Sequence, residues 1–209
     1  MRLTKMLGLA MVAAVAAMAF IGVGSASATL CKINEPGCSA ANQYPVPTTV
    51  LVSSPAVKLV ANITVLCKSH ATLVHEGLVS GKLKGKFTKL EWTGCTGCTE
   101  ATTTSLGKFT DEAVGGGNGK LFPEEVTVLL KGCPFGAECT AKSITGTTFL
   151  GLTGGTVNGT ANGTAKTTVK VEGGGLCSFS GTGTWETEAG SPYAVLEVNG
   201  SKTGSIFQE

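Results

Sequence analysis

The side chains best able to move a proton are few: His70, His75 and a single aspartate, Asp111, together with the acidic pairs Asp111-Glu112 and Glu124-Glu125. An imidazole changes charge near neutral pH, and two carboxyls flanking a glycosidic bond can divide the work of acid and base. His75-Glu76 has the makings of a base with its orienter, and the carboxylates of the 111–125 region those of a hydrolase. Spacing argues the other way. His70 and His75 lie five apart on an expected strand and turn, hence on opposite faces, where they cannot share a metal ion. Adjacent carboxylates on a strand likewise point to opposite sides. Both histidines are expected at the surface, and the acidic pairs in a solvated loop around Gly115-Gly116-Gly117-Asn118-Gly119.

The other chemically capable residues are the eight cysteines, Cys31, Cys38, Cys67, Cys95, Cys98, Cys133, Cys139 and Cys177. Cys95-Thr96-Gly97-Cys98 has the C-x-x-C spacing of a redox dithiol or half a zinc site. A redox pair opens a helix that lowers its thiol pKa, whereas Thr99-Glu100-Ala101-Thr102-Thr103-Thr104 reads as turn and strand. Zinc ligation would need a second such pair, and Cys133 and Cys139 have different spacing. An even number of cysteines behind an export signal reads as a disulfide framework. Turn residues between Cys31 and Cys38, and again between Cys133 and Cys139, point to two small-loop bridges. Three pairings remain for the other four cysteines. Cys67–Cys95 with Cys98–Cys177 is preferred, because a Cys95–Cys98 bridge would tie nothing distant together.

The export signal is residues 1–28: Arg2 and Lys5, then the apolar run from Met6 to Val23, then Ala26-Ser27-Ala28 as a small-x-small cleavage site. An uncleaved membrane anchor is the competing reading, and cleavage leaves no membrane contact. Of 16 Lys and Arg, the two in the leader include the only arginine, so 14 lysines then face 14 acidic residues. A neutral, arginine-free domain lacks the bidentate fork and positive field that nucleic acids select. One aspartate argues against a dedicated calcium cage, and the glycine runs lack the strand-to-helix setting of a phosphate loop. No cofactor and no metal are expected.

These residues must be carried by strands. Residues 29–47 form a looped lead-in that Pro45 and Pro47 keep extended. Residues 48–209 are runs of Val, Thr, Ile and Leu cut by glycine-bearing turns. The expected fold is all-β: one disulfide-stapled antiparallel β-sandwich or barrel of about eleven strands. The strands are 48–53, 57–61, 63–67, 69–74, 83–93, 99–109, 126–130, 144–152, 164–172, 177–188 and 193–198. Of Asn158-Gly159 and Asn162-Gly163, one is expected to close a hairpin and the other to form a bulge or loop. The core is assigned to Val, Leu and Ile with Trp92, Trp185, Phe87, Phe149 and Phe179.

Several short stretches resemble a group of secreted, cysteine-containing all-β proteins of soil actinobacteria that carry no assigned activity. They are the Cys31-to-Cys38 opening with Glu35, Ala41-Asn42-Gln43-Tyr44-Pro45, Val65-Leu66-Cys67-Lys68-Ser69, Leu90-Glu91-Trp92-Thr93-Gly94-Cys95, and Cys177 followed by Trp185. The resemblance implies export, cysteine bridging and β architecture, and no catalytic residue.

The expected function is that of a secreted or cell-envelope, non-enzymatic domain that binds an extracellular ligand, polymer or protein, or serves structurally. Glycans are one candidate, with Trp92, Trp185, Tyr44 and Tyr193 as stacking faces, although core packing is the commoner use of buried tryptophan. The alternative is a secreted hydrolase acting through the 111–125 carboxylates or His75.

Overall fold

The structure is a computed structural model that describes residues 28–174, 177 and 181–209. The leader up to residue 27 and Phe179 lie outside the described residues. The protein is all-β and every strand pairing is antiparallel, as the alternating sequence requires. The strands are β1 (Leu30–Cys31), β2 (Thr48–Val60), β3 (Thr64–Val79), β4 (Lys82–Thr96), β5 (Glu100–Ser105), β6 (Lys108–Gly115), β7 (Asn118–Glu124), β8 (Thr127–Lys131), β9 (Cys139–Ser143), β10 (Leu150–Thr153), β11 (Gly155–Thr156), β12 (Asn162–Gly173), β13 (Thr182–Thr187), β14 (Tyr193–Val198) and β15 (Ser205–Gln208).

Hydrogen-bonded pairing runs β10-β7-β6-β4-β3-β2-β14-β12 and returns from β12 to β10, so these strands form a closed circuit. Four long strands, β2, β3, β4 and β12, extend beyond that circuit. Their far halves carry β13, which bridges β2 and β12, and then β9, β8 and β5 in order from β12. β5 comes back to β4, where Trp92 Nε1 donates to Thr103 Oγ1 at 3.0 Å and Thr103 Oγ1 donates to the Leu90 carbonyl at 2.7 Å. A small sheet, β1-β15-β11, joins the two ends of the described chain.

Period-two patterning explains which faces meet. Along β12, Gly163, Ala165, Thr167, Val169 and Val171 are buried while Thr164, Lys166, Thr168 and Lys170 face solvent. Val126, Val128 and Leu130 are buried on one face, as their alternation predicts. Where the expected strands differ, local chemistry gives the reason. The stretches 48–53 and 57–61 are one strand, β2, whose register shifts between Ser54 and Val57 around Pro55, which has no amide to give the ladder. Residues 99–109 break into β5 and β6 at Gly107, whose positive φ of 62° turns the chain where an added Cβ would meet the Glu124 carbonyl at 2.1 Å. The glycine-rich loop expected over 111–120 is instead the tight turn of a β6–β7 hairpin, in which Gly115 faces Asn118. Asn158-Gly159, with Asn158 at φ 56°, lies in the connection between the antiparallel pair β10 and β12, and Asn162-Gly163 opens β12. Phe149 is not a core residue; it lies half-buried against Phe122, with Lys120 over its ring.

All eight cysteines are bridged, as Cys31–Cys38, Cys67–Cys95, Cys98–Cys133 and Cys139–Cys177. The first two match expectation; Cys133–Cys139 and Cys98–Cys177 do not form. Strand register overrides the local turn. Cys133 follows β8, and its neighbour strand β5 brings Cys98 alongside through the Thr99 amide on the Lys131 carbonyl. Cys139 opens β9 opposite Gly173 of β12, and this brings the chain after β12, with Cys177, to it.

Candidate functional site

Inside the closed circuit lies a cavity of about 100 Å³. Its walls are apolar: Val50 and Val52 of β2, Ala71 and Leu73 of β3, Leu90 of β4, Leu121 of β7 and Val195 of β14, among others. The β1-β15-β11 sheet contributes Leu30, Ile206, Phe207 and Gln208. A second cavity of about 50 Å³ lies between the far halves of the long strands, and Trp185 and Val126 line both. Trp92 and Trp185 face each other there, their ring centroids 6.1 Å apart at 58°.

The expected surface position of His75 is wrong. His70 is exposed, but His75, on the opposite face of β3, is 5% exposed, and its Nε2 lies 2.8 Å from Oδ2 of the fully buried Asp111. Cross-strand register builds this contact. His75 stands opposite Gly85 on β4, and Gly85 opposite Phe109 on β6, with Asp111 two residues further on. A Cβ at Gly85 would sit 2.3 Å from the Phe109 ring, so only glycine lets that ring fill the space over β4. Phe109 then meets His75 edge-on at 5.0 Å and Phe87 at 5.3 Å. This fixes the imidazole, which reaches diagonally across β4 to Asp111. Burial pushes the Asp111 carboxyl above its ordinary range, and His75 only partly offsets this.

Among the described residues seven buried side-chain atoms lack a hydrogen-bond partner, and six belong to residues lining the larger cavity: His75 Nδ1, Asp111 Oδ1, Trp185 Nε1, Tyr193 Oη, and both amide atoms of Gln208. Ser69 Oγ is the seventh. It lies close enough to act on the Tyr193 phenol, yet neither oxygen completes a hydrogen bond of good geometry. Burial drives the Tyr193 pKa far upward, so the phenol keeps its proton. An orphaned buried donor or acceptor costs about 1–3 kcal/mol unless something pairs with it. These atoms have almost no accessible surface, and the space beside them is walled by apolar groups; it has the character of a pocket for an apolar molecule.

The structure thus brings together Trp185, Tyr193, His75 and Asp111, with Trp92 next to them. It does not bring Tyr44 to the cavity: that phenol donates to the Ser205 carbonyl at 2.7 Å, beneath Lys32. Glu112 points outward to Lys82, and Glu124 shares the outward parity of Lys120. Glu125 is exposed. Gln208 went unrecognised, and nothing in its local sequence marks it. For His75–Asp111 one signal existed, Gly85 inside an otherwise alternating stretch of strand. The C-x-x-C cysteines enter two separate bridges. Among the described residues no cluster of three His, Cys, Asp or Glu could hold a metal ion, and no helix is long and apolar enough to cross a membrane. Four disulfides point to an oxidising compartment.

Comparison with protein-family models, with curated proteins and with solved structures finds no match.

Proposed function

We propose that this is a secreted binding protein: a β-barrel whose interior receives a small, mainly apolar molecule and which performs no chemistry on it. The observation that carries this reading is the apolar cavity inside the strand circuit, walled by Val50, Leu73, Leu90, Leu121 and Val195. Volume supports it. A dry engineered cavity of about 150 Å³ takes up benzene, and 100 Å³ with a smaller cavity alongside suits a single ring. The apolar lining favours such a molecule over a glycan chain, because both tryptophans face inward and Tyr193 is 3% exposed.

One observation favours the hydrolase alternative, namely that Asp111 orients His75 as a carboxylate orients a catalytic imidazole. His75 Nδ1, however, meets no hydroxyl or thiol, so the pair lacks a nucleophile to activate. The test is titration of the oxidised protein with benzene, phenol and cyclopentanone, read by Trp185 fluorescence in a Trp92→Phe background. Saturable change and a raised melting temperature are expected, about 2.7 kcal/mol of stabilisation at a hundredfold excess over Kd. No saturable change with any ring compound would overturn the reading. Turnover of simple esters or glycosides that is lost in Asp111→Asn would replace it with the hydrolase.

A further inference from the structure

We infer that one end of the barrel rests on the surface of a lipid bilayer, with aliphatic side chains from several separate segments inserted among the head groups. The inference goes beyond the binding reading and stands without it. Among the described residues the exposed large apolar side chains are Ile33, Val46, Leu78, Val79, Val114 and Phe135. All but Phe135 lie at one end of the molecule, each between 44% and 58% exposed. Phe135 is at the opposite end, in the connection between β8 and β9.

Strand register gathers the group. Val79 pairs with Lys82 across the tight turn Ser80-Gly81, whose φ values are 54° and 78°, so Leu78 and Val79 are carried at the tip of the β3–β4 hairpin. Thr48 stands opposite His75, and this brings Val46 to the same tip: its Cγ1 is 3.7 Å from where a Cβ on Gly77 would sit. β6 pairs with β4 through Asp111 and Leu83, and Lys82 reaches Glu112, so the β6–β7 tip lies alongside. There the ladder skips from Ala113 to Gly115 and leaves Val114 bulging out of it. Ile33 completes the group, because the neighbouring Asn34 packs on Gly117 of that tip, its Oδ1 3.1 Å from where a Cβ would be.

The path of the chain names the occupant. The Ala28 amide donates to the Gly81 carbonyl at 3.2 Å, so the expected leader joins the domain at the β3–β4 tip. Only Gly24 to Ser27 separate Ala28 from the apolar run Met6 to Val23. Four residues reach at most about 14 Å. While the leader is attached, its apolar run in the bilayer holds this end against the head groups, and the aliphatic tips keep a peripheral contact after cleavage, in place of the expected loss of all membrane contact. The shape of the patch agrees. Its side chains project from hairpin tips and loops, which enter a fluid head-group layer, and they form neither a groove for a peptide nor a flat face. Charge is secondary: Lys82 pairs with Glu112 and Lys86 with Glu76, while Lys84 is exposed, so attraction to lipid phosphates adds little to the apolar contact.

The experiment takes the protein as exported, without its leader and with its disulfides intact. It is mixed with vesicles of phosphatidylcholine, or of equimolar phosphatidylcholine and phosphatidylglycerol, and binding is read by flotation. The protein should float with both and stay bound in high salt, which screens charge and leaves apolar contact in place. In nanodiscs carrying a nitroxide-labelled lipid, the methyl signals of Ile33, Val46, Leu78, Val79 and Val114 should broaden, and those of Val128 and Val169 in the far half should not. Leu78→Ser combined with Val79→Ser should weaken partition at least about tenfold. Phe135→Ser, at the opposite end, should leave it unchanged. If the double variant does not fold, the pattern of methyl broadening in the wild-type protein decides. No flotation, flotation with the phosphatidylglycerol vesicles alone that is lost in salt, or an equal loss in Phe135→Ser overturns the inference. So does a dimer in sedimentation that covers the same methyls without lipid, which would give this end to a second copy of the chain. None of these outcomes bears on the titration with ring compounds, so the binding reading stands or falls separately.

Discussion

The two halves of the long strands are stabilised by opposite means. The half carrying β5, β8, β9 and β13 holds three of the four bridges, around a core of Val65, Val128, Leu130, Val169, Val171 and six cysteines. The half carrying β6, β7, β10 and β14 has no bridge of its own in the circuit. It is packed through Phe109, Leu73, Leu90 and Leu121, and it encloses the larger apolar cavity. Three covalent closures hold one half, while the other relies on packed side chains around a cavity. The bridged half reads as scaffold, and the unbridged half holds the larger cavity.

Three stability measurements test that division. The largest effect is expected from Phe109→Ala, which removes the ring wedged between Gly85, Phe87 and His75; it should cost about 3–5 kcal/mol in urea unfolding. Replacing Cys98 and Cys133 together by alanine should cost less, about 2–4 kcal/mol, and leave ring-compound binding in the other half unchanged. A double alanine variant that abolishes binding would show that the two halves are not separable.

The smallest effects, of opposite sign in the two halves, come from pH. Because burial raises the Asp111 carboxyl above 3.8, the folded protein keeps a proton that the unfolded chain has released. The contribution of this group is therefore greatest in acid and declines as pH rises from about 4 through the raised value. Glu172, in the bridged half, is the reverse: hydrogen bonds and charge from Lys142 and Lys170 hold it at about 2, so its contribution is present above 4.5 and lost as pH falls towards 2. Unfolding of wild type, Asp111→Asn and Glu172→Gln between about pH 3 and about pH 7 should give difference curves sloping in opposite directions, with the Glu172 curve shallower because its partners are exposed and screened. Curves of the same slope would remove the contrast.

What could be read from the sequence was what local spacing controls. Alternation located β12, β14 and the apolar side of β4, and loop closure found Cys31–Cys38 and Cys67–Cys95. What could not be read depended on register between distant strands. Cys133 and Cys139 bridge to other cysteines because β8 and β9 have different outer neighbours. Asp111, beside a glycine run, has the composition of a turn, and only its pairing with Leu83 and Leu121 turns it inward. Gln208 joins the cavity because β15 pairs with β1, across nearly the whole length of the chain, and no short-range pattern encodes that.

The pairing of β1 with β15 also sets an order of assembly. Every cysteine of the bridged half lies at or before residue 177, so its three bridges can close on a chain whose last strands have not yet emerged. Gln208 arrives after all of them and docks beside a strand made at the outset. The β1–β15 pair thus ties together segments far apart in the chain, beside strands that three bridges hold independently of it.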